Sequence, residues 1–418
     1  MSAEIRHSRL PSGLSVVTEN VPGAASVSLG FWVDAGSRDE RPEIAGASHF
    51  LEHLLFKGTE DRSAQEIAEA IEAVGGEMNA FTTKEYTAFY VRLLQEDVDL
   101  ALDILSEIMW APAFRADEIE AERQVILEEI LMHEDEPSDL VHDLCQDALY
   151  PGHPLGREVL GDKSTITAMT RDDIRGYFGS HYRPQSIVVA GAGKVDHDDL
   201  VSGVERRFTG PSGAGPDRVR QPLAPARPLI VCTRSTEQAH LVVGLRAPGR
   251  DDEDRFAFAV LNQLLGGGMS SRLFQEIREK RGLVYAVYSY RAAYLEAGLL
   301  GIYAGTSPAR ATTVLQLIDQ ELDRLLQEEI PDHELAVARG HVKGSLVLSL
   351  EESSSKMSRI GRSQLIHGEV LTLAELVERT AAVTAADVRR VIERVVAGPR
   401  TLAVVGPFDE EAFAEQVA

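Results

Sequence analysis

The stretch from Thr209 to Pro228, TGPSGAGPDRVRQPLAPARP, follows neither the 3.6-residue period of a helix nor the alternation of a strand. Rich in Pro, Gly and Ala, it reads as an interdomain linker near the middle of the 418 residues. On either side of it the chain repeats itself, and this repetition restricts the fold more than any other feature. ASVSLGFWVDAGSRDE (25–40) begins as an alternating strand and ends in an acidic turn, as does AHLVVGLRAPGRDDED (239–254). The helical stretches ASHFLEHLLFKG and FAVLNQLLGGGM follow, and LALDILSEIMWAPAF later matches TVLQLIDQELDRLLQ in spacing. MTRDDIRGYFGSHYRPQSIVVAGAG closes the first half as VTAADVRRVIERVVAGPRTLAVVGPF closes the second. A pattern stated twice implies two copies of one architecture. Strands mixed with long helices make each copy α+β, a mostly antiparallel sheet with helices on one face. The expected division is 1–208, a linker at 209–228, and 229–418.

The two halves differ where their first helices align. Placing EHLL over NQLL puts Asn262 and Gln263 against Glu52 and His53, and Ala259 against His49. Helix positions four apart differ by about 40° around the axis, so His49 and His53 can face one ion. Glu52 flanks the pair, within reach of a water on such an ion without being a ligand. The pattern is His-x-x-Glu-His, the reverse of the commoner His-Glu-x-x-His zinc motif. A catalytic zinc needs a third protein ligand and an open position. The helical segment ADEIEAERQVILEEILMHEDE (116–136) offers candidates, with Ile119, Glu122, Ile126 and Glu129 on one stripe. Carboxylates on the otherwise apolar side of a helix are costly unless something pairs with them. His133, at the acidic end of that segment, reads as a surface histidine. One metal-binding half and one inactive half is the simplest account.

Composition narrows the partners. With 66 acidic and 42 basic side chains the net charge is −24, which argues against a nucleic acid held through its phosphates. Such acidity serves solubility, and gathered on a concave wall it attracts basic ligands. No run is long enough to cross a bilayer, and the amino terminus lacks the apolar core of a signal peptide. Two cysteines, Cys145 and Cys232, exclude a disulfide framework and are expected in the core of a cytoplasmic protein.

Together, HFLEHLLFKGT, GGEMNAFTTKEYTAFY and ERQVILEEI resemble the pitrilysin family of zinc peptidases, in particular the short-chain branch that includes mitochondrial processing peptidase. The likeness runs through both halves. It implies one Zn²⁺ per chain held by His49, His53 and Glu129, with Glu122 supporting the site and Glu52 as general base. It also implies that Arg278 and Tyr285, seven apart in LFQEIREKRGLVYAVYSY, serve the active site from the second half. Tyr285 is then expected to donate to the oxyanion and Arg278 to hold the substrate backbone. The strand edge in GGEMNAFTTKEYTAFY is implied to receive the substrate as an added strand at Asn79 and Ala80. The glycine-rich LLGGGMSSRLF lacks the Gly-Lys-Ser/Thr ending of a phosphate loop. A two-domain unit of this length corresponds to half of a clamshell, so a homodimer is implied, with Arg278 and Tyr285 reaching across it. The substrate is then a peptide or unfolded segment, basic by charge complementarity, handled as precursor processing or as peptide clearance. Two rivals remain at this stage: a structural subunit without activity, and a catalytic subunit that needs a separate metal-free partner.

Overall fold

In the structure, a computed structural model that describes residues 4–416, the chain divides into two compact units. The first contains a six-stranded sheet built from β1 (Glu4–Arg9), β2 (Ser15–Asn20), β3 (Ser26–Val33), β4 (Glu77–Thr82), β5 (Thr87–Leu94) and β6 (Ile187–Gly193). Its order is β1-β2-β6-β3-β5-β4, antiparallel throughout except for the β2–β6 pair. The second contains β7 (Leu229–Thr233), β8 (Ala239–Ala247), β9 (Val284–Ala293), β10 (Gly298–Thr306) and β11 (Arg400–Gly406), in the order β7-β11-β8-β10-β9. Only the β7–β11 pair is parallel there. Without β1, the first order maps strand for strand onto the second, so the repeat in the sequence is a repeat in topology.

The units do not follow the contiguous halves expected at 1–208 and 229–418. Residues 131–157 belong to the second unit and residues 348–372 to the first. The helix Pro137–Leu149 therefore packs on β8 and β11, while the helix Ser353–His367 packs on β2, β3 and β6. Helices of the unit's own half cover one sheet face and the exchanged helix covers the other. On β6, Ile187 and Val189 enter the main core while Val188 and Ala190 meet Met357 and Ile360 of the exchanged helix. On β11, Leu402 and Val404 face the main core, whereas Ala403 and Val405 meet Val141, Cys145 and Leu149. This burial on both faces explains why IVVAGAG and TLAVVG are continuous apolar runs.

Two glycines permit the close approach. A Cβ on Gly30 of β3 would stand 2.7 Å from Met357 Sδ, and one on Gly244 of β8 would stand 2.4 Å from Cys145 Sγ. These are matched positions of the repeat, each beneath an exchanged helix. Cys145 is buried as expected, while Cys232 on β7 is half-buried, and both are free thiols. The linker has no regular secondary structure, but it is anchored. Arg218 donates to Asp34 (2.8 Å), to both oxygens of Asp39 (2.8 and 2.7 Å) and to the Glu85 carbonyl (2.6 Å), which ties 209–218 to the first unit. Among the described residues no helix is long and apolar enough to cross a membrane.

Candidate metal centre

The histidines sit on the helix Ala47–Leu55. Ala47, Phe50, Leu51, Leu54 and Leu55 are buried, an i, i+3, i+4, i+7, i+8 stripe that seats the helix on the core. His49, Glu52 and His53 fall on the other side and remain partly accessible. The helix begins at Gly46 in the left-handed region (φ +93°), where a Cβ would come within 2.6 Å of the Leu160 carbonyl oxygen. Glycine offers no capping side chain, and Glu40 takes that role by accepting from the Gly46 (2.8 Å) and Ser48 (2.7 Å) N–H groups.

Facing it is the helix Ala116–Glu134, which buries Ile119, Glu122, Arg123, Ile126 and Ile130. The stripe read from the sequence is thus the packing face. Arg123 joins the two helices, its guanidinium 5.5 Å from the centre of the Phe50 ring and bonded to Glu120 and to the Ile166 carbonyl.

These two helices bring three ligand-type groups to one point. Glu129 Oε2 stands 3.7 Å from His49 Nε2 and 3.6 Å from His53 Nε2, and all three atoms lie within 4.8 Å of one another. Ligands about 2.1 Å from a tetrahedral ion stand about 3.4 Å apart, so the spacing suits a shared zinc and is too long for hydrogen bonds. Glu129 Oε2 is buried and has no hydrogen-bond partner, an arrangement that is costly unless a cation sits between it and the imidazoles. The donor set of two imidazoles and one carboxylate fits zinc.

The neighbours set the protonation states. Glu122 Oε2 lies 2.9 Å from His53 Nδ1, and because a carboxylate only accepts, His53 carries its proton there and turns the Nε2 lone pair to the cluster. Lys57 Nζ holds the other Glu122 oxygen at 2.5 Å. His49 is pushed down to about 3, first by burial and then by the nearby His53, and so is neutral at pH 7. Burial raises Glu52 above the usual carboxylate range, an effect that hydrogen bonds from the Thr82 hydroxyl and backbone oppose. Lys57 and Thr82 were not singled out in the sequence. Lys57 is four residues beyond His53, in the turn just past the helix end, a nearness in sequence that could have flagged it; Thr82 arrives from β4, which no local pattern reveals.

The remaining candidates divide between the units. Asn79 and Ala80 lie on the edge strand β4, paired with Tyr90 and Phe89, and Asn79 Oδ1 accepts from the Ala80 N–H at 2.8 Å. Arg278 and Tyr285 lie in the second unit and meet there, the guanidinium 5.8 Å from the Tyr285 ring centre and 4.8 Å from that of Phe274. A π-helical turn, Phe274–Glu279, carries Arg278, and Tyr285 is the second residue of β9, with 78% of its surface exposed. His133 is paired with Asp143. The helix Arg255–Gly266 carries Asn262 and Gln263 where the first unit has Glu52 and His53, as aligned.

Residues 15–163 match the family described as Insulinase (Peptidase family M16), and residues 168–340 match the Peptidase M16 inactive domain. An uncharacterized zinc protease of Streptomyces coelicolor is 46% identical, over 97% of this chain and 90% of that protein. Another, of Mycobacterium tuberculosis, is 43% identical over 96% and 93%. A third, of Bacillus subtilis, is 39% identical over 95% and 97%. Among solved structures, a protease from Helicobacter pylori superposes with a TM-score of 0.89 at 22% identity, over 96% of this chain and 99% of that one. A peptidase M16 inactive domain from Pseudomonas fluorescens gives 0.91 at 21%, over 97% and 98%.

Proposed function

Because the chain belongs to peptidase family M16, the insulinase or pitrilysin family, we propose that it is a zinc-dependent endopeptidase whose metal is held by His49, His53 and Glu129, one ion per chain. The observation that carries this is the buried, unpartnered Glu129 Oε2 between two imidazole nitrogens. Zinc supplies Lewis acidity there, polarising a peptide carbonyl and easing the ionisation of water. Glu52 takes the proton of the attacking water and returns it to the departing amine; burial raises its pKa, which makes it a stronger base than an exposed carboxylate. Glu122 fixes the His53 ring through Nδ1.

The substrate joins β4 as an added strand, meeting Asn79 and Ala80. Thr82 at the end of that strand lies beside Glu52, so the same edge leads to the base. Main-chain pairing tolerates varied sequences, which suits peptides and unfolded segments admitted to a closed chamber, and the net charge of −24 favours basic ones. We further infer a cytoplasmic homodimer of the processing-peptidase type, in which Tyr285 donates to the oxyanion and Arg278 holds the substrate backbone at the partner's metal.

The first test is cleavage of a quenched basic peptide by zinc-loaded protein beside Glu52→Gln with equal zinc content. Cleavage by the parent alone assigns the base. If neither protein cleaves although both hold zinc, the self-sufficient enzyme is ruled out. For the dimer, Glu52→Gln is mixed with Tyr285→Phe after reversible dissociation. Activity returns in the mixture if Tyr285 acts across the interface, and stays absent if it acts within its own chain.

A further inference from the structure

The repeat separates residues that build the fold from residues that build the metal centre. Laying DEIEAER (117–123) over HELAVAR (333–339) pairs Ile119 with Leu335 and Arg123 with Arg339. Burial agrees with this register, since Leu335 and Ala338 are the buried positions of the helix Asp332–Ser349, as Ile119 and Glu122 are buried in the helix Ala116–Glu134. The two arginines do the same work. Arg123 donates to the Ile166 carbonyl, and Arg339 donates to the carbonyls of Ala381 (3.2 Å) and Val383 (3.0 Å) in the corresponding segment of the second unit. In the same register Ala338 stands against Glu122 and Ser345 against Glu129, and the alignment of EHLL with NQLL sets Gly267 against Lys57. The second unit thus keeps the arginine and lacks Lys57 and Glu122 along with His49, His53 and Glu129. A lysine that only tied two segments together would be as useful there as the arginine is.

In the first unit these two residues form a chain that ends on a ligand. Lys57 Nζ lies 2.5 Å from Glu122 Oε1, and Glu122 Oε2 lies 2.9 Å from His53 Nδ1. Among the described residues no other cation pairs with Glu122, whose side chain is 6% exposed against 33% for that of Lys57. We propose that Lys57 is a positioning residue of the zinc site: its ammonium fixes the Glu122 carboxylate and, through it, the ring of His53. The inference rests on the zinc reading above. Two effects oppose each other. A cation near a metal repels it, so charge counting alone has the loss of Lys57 tightening zinc. A buried carboxylate stripped of its cation is costly to keep in place, however, and by turning to water it leaves the His53 Nδ1 proton without an acceptor. The second effect prevails, because Glu122 is buried against the ligand itself, whereas Lys57 is partly in water, where its repulsion is screened.

The test is the zinc affinity of the full-length protein, measured against a competing chelator. Direct partners of a ligand are worth about 10- to 100-fold, and Lys57 stands one contact farther out, so Lys57→Met is expected to raise the zinc Kd about five- to tenfold. Lys57→Arg keeps the charge and the donors and is expected to stay within about twofold of the parent. In a Glu122→Gln background, where the chain is already broken, Lys57→Met is expected to add less than about twofold. Circular dichroism and the melting temperature of the zinc-free variants establish that each is folded, and Lys57→Gln takes the place of Lys57→Met should the latter not fold. Unchanged or tighter zinc in Lys57→Met overturns the proposal, even with a lowered melting temperature, which would leave Lys57 a mere tie between segments. An equal loss in the Glu122→Gln background overturns it too, since Lys57 would then act by another route. If the parent itself holds no zinc, the metal centre falls and this inference with it; if parent and Lys57→Met hold it equally, this inference falls alone.

Discussion

Glu122 is shared between His53 on the helix Ala47–Leu55 and Lys57 just beyond the end of that helix, with Oε2 on the first and Oε1 on the second. Glu122→Gln keeps the shape but weakens the hold on the imidazole proton, so zinc affinity measured against a competing chelator is expected to fall about 10- to 100-fold. His49 makes a second residue-scale prediction. Its folded pKa, about 3, lies below the unfolded value of about 6.5, so the unfolded chain takes up the proton first on acidification. The associated stability is present above pH 6.5 and is lost as pH falls from there towards 3, with a limiting slope of about 1.4 kcal/mol per pH unit. In zinc-free protein, urea midpoints should therefore fall between pH 6.5 and 5, and less steeply in His49→Gln; equal slopes would contradict the assignment. At this scale much of the candidate site was legible. The i, i+4 histidines and the carboxylates on an apolar stripe announce themselves, because helical geometry alone brings them together. Thr82 does not, since its place beside Glu52 depends on which strand forms the sheet edge.

Among the elements, the exchanged helices depend on glycine contacts. Gly361 of the Ser353–His367 helix lies so close to β3 that a Cβ would stand 2.3 Å from Trp32 Nε1, in a ring only 1% exposed. Gly361→Ala is expected to cost about 2–3 kcal/mol in urea unfolding. Gly344→Ala, in the interior of the helix Asp332–Ser349 and with nothing within 4 Å of the added methyl, is expected to be neutral or to stabilise by up to about 1 kcal/mol. If both variants melted alike, tight packing of the exchanged helix would not be what Gly361 provides. Strands, helices and their duplication could be read from periodicity, and even the matched glycines Gly30 and Gly244 stood in plain view. Their meaning was hidden. An amphipathic stripe such as that of DLVHDLCQDALY shows that a face is buried, but not which of two similar sheets buries it. That ambiguity is why contiguous halves were expected where the fold exchanges helices.

For the whole molecule, the exchange means that neither half of the chain can complete its own unit. Expressed alone, residues 1–218 would leave the apolar face formed by Val17, Trp32, Val188 and Ala190 without Met357 and Ile360. Each fragment is expected to be insoluble or to unfold without a cooperative transition, while 1–218 and 219–418 produced together should form a soluble, zinc-binding pair. A cooperative melt of 1–218 alone would refute this. The same feature sets a schedule for synthesis. Chains are made at about 5–20 residues per second, so some 150 residues, or roughly 10–30 seconds, separate the end of the anchored linker segment from the last residue of the first unit. Throughout that interval all the metal-binding side chains exist, yet the sheet beneath them is covered on one face only. The nascent first unit must be sheltered on the ribosome or by a chaperone until its final helix emerges, long after its own half has been translated.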